Sequence, residues 1–352
     1  MTAAVTPGAE QSLSRGLLGQ GLLYAVRAHD DPAAAVRLHE LLAGLGPIVD
    51  GPDAGLFHGS PAVAYVMNLA PGGYRAALER LDEANEALTC RRLAAAHRRL
   101  DQERLACFAE YDLLRGLTGL GVLWLLRGTR PDLLHDVLDY LVRLSGSGAD
   151  GRPLWRVWHR PDEPESFGAH VNNGMAHGIA GPLALLALAH RRRAQAPGQD
   201  EAIRRIMDHL DTVRHHDDQQ TWWDRWDGEN LPSPPPPSWC YGTPGLARAQ
   251  QLGALALGDP LYQEDVERVF LSCLPSAGAL HEPTVCHGSA GLTAVLRRVA
   301  GDSPQPGRFQ DHIPPPADTA VPQGSGLLDG GTGDALTRLE SSLPWDACLA
   351  LI

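Results

Sequence analysis

Residues 178–189 of this 352-residue chain read Gly-Ile-Ala-Gly-Pro-Leu-Ala-Leu-Leu-Ala-Leu-Ala, and they carry the strongest indication of its fold. Small and aliphatic residues follow Gly181 on more than one side of the helix that they favour, so we expect that helix to be buried. Glycines at its start allow the backbone to turn sharply and neighbouring helices to approach closely. The stretch therefore predicts a buried helix that begins in a tight turn.

The same Gly-x-x-Gly pattern recurs along the whole chain. Its first glycines lie 42 to 64 residues apart, and in the second copy Ala62 replaces the second glycine. A recurrence of this length is typical of repeated two-helix units. The first glycines are Gly16, Gly59, Gly116, Gly178, Gly242, Gly288 and Gly330.

Charged, amphipathic segments separate the copies, for example residues 131–141 and 201–210. Their apolar residues recur at helical spacing, which predicts helices with one solvent-facing side. Buried and amphipathic helices in alternation predict an all-α toroid, an inner ring of helices wrapped by an outer ring. Because each Gly-x-x-Gly opens its inner helix, we expect all seven copies to meet at one end of the ring.

Two segments interrupt the pattern. Residues 231–237 contain five prolines and cannot form a helix, so they predict a stiff loop. Residues 302–325 are rich in proline and glycine, which predicts a short or missing outer helix. Residues 1–10 are predicted to be disordered, and residues 11–352 to form a single domain.

Composition restricts the function classes. The chain has 42 acidic and 30 basic residues, a net charge of −12, and no long basic run, which argues against a nucleic-acid partner. It lacks an apolar run of about 18 residues, so we expect no membrane span. It also lacks a secretory signal, and its six cysteines are too sparse for a disulfide scaffold. These features favour the cytoplasm.

Chemically reactive residues stand at one phase of the repeat. Cys240 and Cys286 lie two residues before a first glycine, where a purely structural repeat would carry small or apolar residues. The residues directly before the first glycines are Arg15, His58, Arg115, His177, Tyr241, His287 and Asp329. This end of the predicted ring is therefore the candidate functional site.

Cys240, Cys286 and His287 would come together if the copies meet. Two thiolates and an imidazole, with no fourth protein ligand in the pattern, are typical of a reactive zinc site. The alternative is two buried cysteines and a histidine of the core. The shared phase favours the metal site.

Residues 173–181, 239–245 and 286–291 resemble the LanC family, the lanthionine cyclases of lantibiotic biosynthesis. The resemblance extends through all seven copies to Trp345-Asp346. It implies a double-layered α/α barrel that holds one zinc ion. It also implies that the zinc ligands are Cys240, Cys286 and His287.

The resemblance implies a reaction as well. Cysteine thiols of a dehydrated precursor peptide would add to dehydroalanine or dehydrobutyrine, forming lanthionine or methyllanthionine rings. His177 matches the catalytic histidine of the family and would protonate the resulting enolate, although it could instead cap a helix. Asp112 matches an acidic residue that would orient His177, with a helix N-cap as the alternative. Tyr241 could donate a proton or a hydrogen bond, or only pack.

The chain departs from the family pattern at one position. Family members tend to carry an arginine four residues before the first zinc cysteine, where this chain has Pro236. Arg115 or Arg225 could replace that arginine. His58 is expected to cap its helix, and Cys90, Cys107, Cys273 and Cys348 are expected to be small core residues.

Two other functions remain open at this point. One is the transfer of a small thiol such as glutathione onto dehydrated residues. The other is a zinc-stabilised scaffold that binds a dehydratase and its peptide without catalysis. In each case a dehydrated precursor peptide is the expected partner. No dehydratase domain precedes Gly16, so a separate dehydratase is expected to supply that peptide.

Overall fold

The computed structural model describes residues 8–159, 166–313, 324–339 and 341–352, and most of these residues are helical. The predominance of helix confirms the predicted fold class. The α-helices are α1 (Leu17–Arg27), α2 (Pro32–Ala43), α3 (Ser60–Leu69), α4 (Arg75–Asp101), α5 (Phe108–Tyr111), α6 (Leu117–Arg127), α7 (Pro131–Leu144), α8 (Ala180–Arg191), α9 (Gln199–Thr212), α10 (Thr243–Leu257), α11 (Pro260–Cys273), α12 (Ser289–Asp302), α13 (Gly307–Gln310) and α14 (Gly331–Arg338).

Every Gly-x-x-Gly copy opens a helix, as predicted. The first glycine is the N-cap residue of α1, α3, α6, α10, α12 and α14. In the remaining copy, α8 begins at Ala180, two residues after Gly178. Residues 180–189 of α8 are all buried, as its apolar sequence predicts.

The seven helices that follow the glycines contact one another in a cyclic order. The contacts run from α1 to α3, α6, α8, α10, α12 and α14, and α14 also packs against α1. Each of the first six also packs against the helix that follows it in the chain: α2, α4, α7, α9, α11 or α13. Of these second helices, α7 and α9 coincide with the predicted amphipathic segments and bury their apolar residues.

The second glycine of a copy lets the helix press against the loop that precedes it. A Cβ atom at Gly245 would lie 2.0 Å from the carbonyl oxygen of Trp239, and one at Gly291 would lie 2.0 Å from that of Val285. Both distances are far inside van der Waals contact. These two positions therefore require glycine because of close backbone approach.

Residues 345–352 form a C-terminal segment that packs among the seven helices. Tyr65 of α3 donates a hydrogen bond to the carbonyl oxygen of Trp345 at 2.7 Å. Trp239, in the loop before α10, donates to the carbonyl oxygen of Leu349. The buried Arg248 of α10 donates to that of Leu351. Its residues from Trp345 to Leu351 are buried, so the segment forms part of the core.

Two short antiparallel hairpins were not predicted. They consist of β1 (Val157–His159) with β2 (Ser166–His170), and of β3 (Arg214–His216) with β4 (Thr221–Trp223). Strands of three to five residues are too short to show a clear alternation of apolar and polar residues. The all-α prediction is therefore correct for the frame and omits these hairpins.

The predicted interruptions can be compared with the structure in part. Residues 231–237 form no helix, as predicted, and α13 has only four residues, which confirms a short outer helix. Residues 314–323 lie outside the described residues, as do residues 1–7 of the predicted disordered segment. Ala9–Gln11 form a 3-10 helix. Among the described helices, none has both the length and the apolar character needed to cross a membrane.

Candidate functional site

A cavity of about 1020 Å³ lies where the Gly-x-x-Gly helices begin. Six of the seven copies contribute residues to its lining, whereas His58 of the second copy does not line it. The residues directly before a first glycine that line the cavity are Arg15, Arg115, His177, Tyr241, His287 and Asp329.

Backbone hydrogen bonds join the loops that precede the seven helices into a closed circuit. Each loop donates from at least one N–H group to a carbonyl oxygen of the loop of the neighbouring copy, and the circuit includes Cys240 N–H to Cys286 O at 3.3 Å. Because the functional residues follow these bonds directly, their relative positions are fixed by the main chain. One bond for each pair of neighbouring loops is, from donor to acceptor, Leu13 to Phe57, Phe57 to Leu114, Leu113 to Ala176, Met175 to Cys240, Cys240 to Cys286, Cys286 to Leu328 and Leu328 to Ser14.

The three predicted metal ligands come together at the starts of α10 and α12. The Sγ atoms of Cys240 and Cys286 and a ring nitrogen of His287 all lie within 4.8 Å of one another. Cys240 is buried, Cys286 is half-buried and His287 is exposed on the cavity side. Among the described residues, no fourth cysteine, histidine or carboxylate joins this group.

This donor set fits zinc. Tetrahedral zinc with bonds of about 2.0 to 2.3 Å places its ligand atoms about 3.3 to 3.8 Å apart, so the three side chains need only small shifts to bind it. Two sulfur donors and one imidazole match the preference of zinc for soft and borderline ligands. The open cavity beside them leaves room for a fourth ligand from a substrate.

The electrostatics of the cluster also favour a cation. The hydrogen bond from Cys286 lowers the pKa of Cys240 well below its usual value. The same contact, together with burial, raises the pKa of Cys286. The hydrogen bond to Cys240 raises the pKa of His287. A cation that binds to these donors would therefore compete with protons for them.

His177 and Asp112 form a pair on the same cavity. His177 Nδ1 lies 2.7 Å from Asp112 Oδ2, and the Asp112 side chain is 1% exposed. The other carboxylate oxygen, Oδ1, accepts from the N–H groups of Arg115 and Gly116 at 2.7 and 2.8 Å. Asp112 therefore contacts His177 and holds the turn that leads into α6, but it is not the N-cap residue of that helix, which is Gly116.

Tyr241 lines the cavity beside Cys240. Its hydroxyl oxygen accepts a hydrogen bond from Asn172 Nδ2 at 3.0 Å. Its ring packs against Gly174, where a Cβ atom would lie 2.6 Å from two ring carbons. The phenol is therefore held in a defined position among the other predicted site residues.

The two arginines considered as replacements for the family arginine both line the cavity, whereas Pro236 does not. Arg225 Nε donates to Glu229 Oε1 at 2.8 Å, and its guanidinium carbon lies 4.5 Å from the ring centre of Trp226. Arg115 is exposed on the cavity side. The structure therefore places cations in the cavity from other loops.

Several residues that line the cavity were not predicted from the sequence. Cys107, Phe108 and His159 face the cavity, although none of them stands at the repeated phase. His159 lies on the unpredicted strand β1, so no repeat signal marked it. The expectation that Cys107 and Cys90 are core residues is wrong, because Cys107 lines the cavity and Cys90 is exposed, whereas Cys273 and Cys348 are buried as predicted.

His58 does not cap α3 as expected. No side chain caps this helix, and the N–H group of His58 instead donates to the carbonyl oxygen of Gly55 at 2.9 Å. Burial lowers the pKa of His58. The second copy thus contributes to the fold but not to the cavity.

Comparisons with known proteins agree on one family. The family model described as lanthionine synthetase C-like protein matches residues 8–308. Nisin biosynthesis protein NisC of Lactococcus lactis subsp. lactis is 25% identical over 202 residues, which are 53% of this chain and 48% of that protein. This chain thus aligns with about half the length of that relative. The solved structure of nisin cyclase has a TM-score of 0.80 at 21% identity, covering 98% of this chain and 93% of the other, and shows a shared fold.

Proposed function

Because the chain belongs to the family of lanthionine synthetase C-like proteins, we propose that it is a zinc-dependent cyclase of dehydrated peptides. It would join cysteine thiols to dehydroalanine or dehydrobutyrine of the same peptide, forming lanthionine and methyllanthionine rings. The observation that carries this proposal is that Cys240, Cys286, His287 and His177 line one cavity. That cavity, about 1020 Å³, is large enough to admit a segment of peptide.

The proposal includes the architecture. The cyclic contacts of the seven Gly-x-x-Gly helices, and the closed circuit of backbone bonds before them, support a double-layered α/α barrel. In such a barrel the inner helices start at one end and direct their first residues to a common mouth. We place residues 11–352 in this one domain.

Cys240, Cys286 and His287 would hold one zinc ion. In such a site the chemistry that zinc supplies is a lowered pKa for an incoming substrate thiol. The exposure of His287 and the breadth of the cavity leave an approach for that thiol. The three side chains thereby define where the substrate sulfur lies.

His177 would move the proton. Addition forms the bond between sulfur and the β-carbon, and the electron pair of the α,β double bond passes to an enolate. The α-carbon then takes a proton, so the thiol proton lost at the start balances the one gained. With Nδ1 held by Asp112, the other nitrogen of His177, Nε2, is the one that exchanges protons with the substrate.

Metal content and ring formation test the proposal together. Purified protein should contain about one zinc per chain, and Cys286→Ala should lose both zinc and activity. Cys90→Ala is the matched control, because Cys90 is exposed and does not line the cavity, so this variant should keep both. A metal-free protein that still cyclises fully would contradict the proposal.

The substrate for this test is a synthetic peptide with one dehydroalanine and one cysteine. Cyclisation leaves the mass unchanged and removes the thiol that iodoacetamide would alkylate. Glutathione added as a competitor raises the peptide mass if the protein transfers small thiols instead. Mass spectrometry therefore separates the cyclase from the small-thiol transferase.

His177→Ala separates catalysis from a scaffold role. A cyclase should lose about 10²- to 10⁴-fold in rate while it retains zinc. A zinc-stabilised scaffold would keep its binding of peptide and dehydratase and would show no rate to lose. We propose a separate dehydratase as the source of the peptide, and the cytoplasm as the compartment because reduced thiols are required.

A further inference from the structure

Asn172 does not line the cavity, but its side chain contacts Tyr241, which does. Its side chain is completely buried, in the loop that leads to His177. Its Nδ2 atom lies 3.0 Å from the hydroxyl oxygen of Tyr241, and its Oδ1 atom lies 3.0 Å from the backbone nitrogen of Gly174. Asn172 therefore connects the His177 loop to the Cys240 loop through two directed hydrogen bonds.

The orientation of this amide is fixed by its partners. The N–H group of Gly174 can only donate, so the Asn172 atom that faces it must be the carbonyl oxygen. The atom that faces Tyr241 is then the NH₂ group, which can only donate. The hydroxyl oxygen of Tyr241 therefore accepts in this bond, and the single proton of the phenol points to a different acceptor.

Close packing prevents the unit from rearranging. A Cβ atom at Gly174 would lie 2.6 Å from the Tyr241 ring and 2.7 Å from the Cys240 carbonyl oxygen. A Cβ atom at Gly178 would lie 2.4 Å from Asn172 Oδ1. Gly174 and Gly178 thus both lie against Asn172 Oδ1, and the Tyr241 ring packs directly on Gly174.

We propose that Asn172 is a positioning residue that keeps the Tyr241 hydroxyl a hydrogen-bond donor toward a dehydroamino acid carbonyl in the cavity. The inference rests on the proposed function. When the thiolate adds to the β-carbon, negative charge develops on that carbonyl oxygen. The Tyr241 hydroxyl donates a hydrogen bond to this oxygen and keeps its proton, while the proton for the α-carbon comes from His177.

Asn172→Asp tests the polarity of the bond. The carboxylate has nearly the same shape and still accepts from Gly174 N–H, but it presents an acceptor to Tyr241 and draws the phenol proton toward itself. We expect kcat on the synthetic dehydroalanine peptide to fall about 10²- to 10³-fold, the loss typical of removing one oxyanion donor, with a much smaller change in KM.

A double-mutant cycle with Tyr241→Phe distinguishes positioning from a general structural effect. Tyr241→Phe should lower kcat by a similar factor, and the two changes combined should lower it no further, because they remove the same interaction. Asn68→Asp is the matched control, since Asn68 contacts Arg127 and does not line the cavity, and it should keep the wild-type kcat. Zinc content is measured for every variant to verify the metal site.

Three outcomes overturn the inference. A folded, zinc-loaded Asn172→Asp variant that keeps the wild-type kcat would overturn it. Losses of kcat that add up in the double-mutant cycle with Tyr241→Phe would also overturn it. If Asn172→Asp does not fold, Tyr241→Phe decides alone, because wild-type kcat in that variant shows that no donor is needed. If the proposed function itself is wrong, the wild-type protein will form no thioether from the peptide. That result differs from all three outcomes above.

Discussion

Asp112 shares its carboxylate between the helix start of α6 and the imidazole of His177. Because Oδ1 accepts from two backbone N–H groups and Oδ2 contacts His177, the side chain cannot turn toward one partner without leaving the other. The pair fixes the His177 tautomer that carries its proton on Nδ1. The orientation of a single side chain thus links the fold to the proposed proton transfer.

Asp112→Asn should separate these two roles. The amide oxygen can still accept from the N–H groups of Arg115 and Gly116. The amide NH₂ group would instead donate to His177 Nδ1, so the ring proton would move to Nε2. We expect cyclisation to slow by about 10²- to 10⁴-fold, with a loss of stability below about 1 kcal/mol. Thioether formation and thermal unfolding of the same sample measure the two effects.

Asp112→Ala is the control for this prediction. It also removes the acceptor of the Arg115 and Gly116 N–H groups, and should cost a further loss of stability of about 1 to 3 kcal/mol. An Asp112→Asn variant with wild-type rate would show that His177 needs no orienting carboxylate.

The glycines at the start of each Gly-x-x-Gly helix determine how closely that helix approaches the loop before it. In α12, a Cβ atom at Gly291 would lie 2.0 Å from the Val285 carbonyl oxygen, whereas nothing lies within 4 Å of a Cβ atom at Gly301. Both glycines belong to the same helix. Glycine is therefore required at the start of α12 and not near its end.

Gly291→Ala and Gly301→Ala form a matched pair. Gly291→Ala should destabilise the protein by about 1 to 3 kcal/mol, the cost of forcing an extra methyl group into a packed site, and should weaken zinc binding by moving the Cys286 loop. Gly301→Ala should stabilise it by about 0.4 to 1 kcal/mol, since alanine favours helix. Urea unfolding gives both values. Equal effects at the two positions would contradict the role of close backbone approach.

At the scale of the whole molecule, the C-terminal segment 345–352 ties the helices together. Arg248 is 1% exposed and donates to Leu351 O at 2.6 Å and to Asp302 Oδ2 at 2.7 Å. Burial lowers the pKa of Arg248 to about 10, because the charged form loses hydration. The guanidinium thus stays charged at neutral pH through these contacts.

Arg248→Met should therefore lower the free energy of unfolding by about 3 to 5 kcal/mol, the cost of removing one partner from a buried charged network. Arg192→Met is the control. Arg192 and Arg248 both line a second cavity of about 390 Å³, but Arg192 is exposed. Loss of the Arg192 side chain should therefore change the free energy of unfolding by about 0.5 kcal/mol or less. Denaturant unfolding measures both. Similar stabilities for the two variants would show that Arg248 does not hold the segment.

A buried histidine makes stability depend on pH. Burial lowers the pKa of His209 below its usual 6.5, and His209 Nε2 lies 3.0 Å from Asn173 Oδ1. As the pH falls below 6.5, the unfolded chain binds a proton that the folded protein does not, so this contribution to stability is lost. Above 6.5, both states are neutral and the contribution is complete.

His209→Gln should reduce this pH dependence. The wild-type unfolding temperature should fall more than that of the variant between about pH 7.5 and about pH 5.5. Because the proposed zinc site is the same in both proteins, its own pH dependence cancels in the comparison. Parallel decreases in the two proteins would show that His209 does not contribute.

The sequence allowed prediction of the parts that repeat. Six of the seven helices have the first glycine of their copy as N-cap residue, and Cys240, Cys286 and His287 come together because they occupy the two positions before a first glycine. The sequence did not allow prediction of lining residues that lie outside the repeated positions. His159 reaches the cavity from a short strand and Cys107 from the loop before α5, and neither position carries a periodic signal.

The helical frame and the grouping of Cys240, Cys286 and His287 thus followed from the sequence alone, since backbone geometry and residue chemistry at a repeated position are local properties. The tertiary structure decided which side chains meet across distant positions. Asp112 reaches His177, and Asn172 reaches Tyr241, across 65 and 69 residues. Such pairs depend on the circuit of backbone hydrogen bonds between neighbouring loops, and that circuit exists only once the last copy has packed against the first.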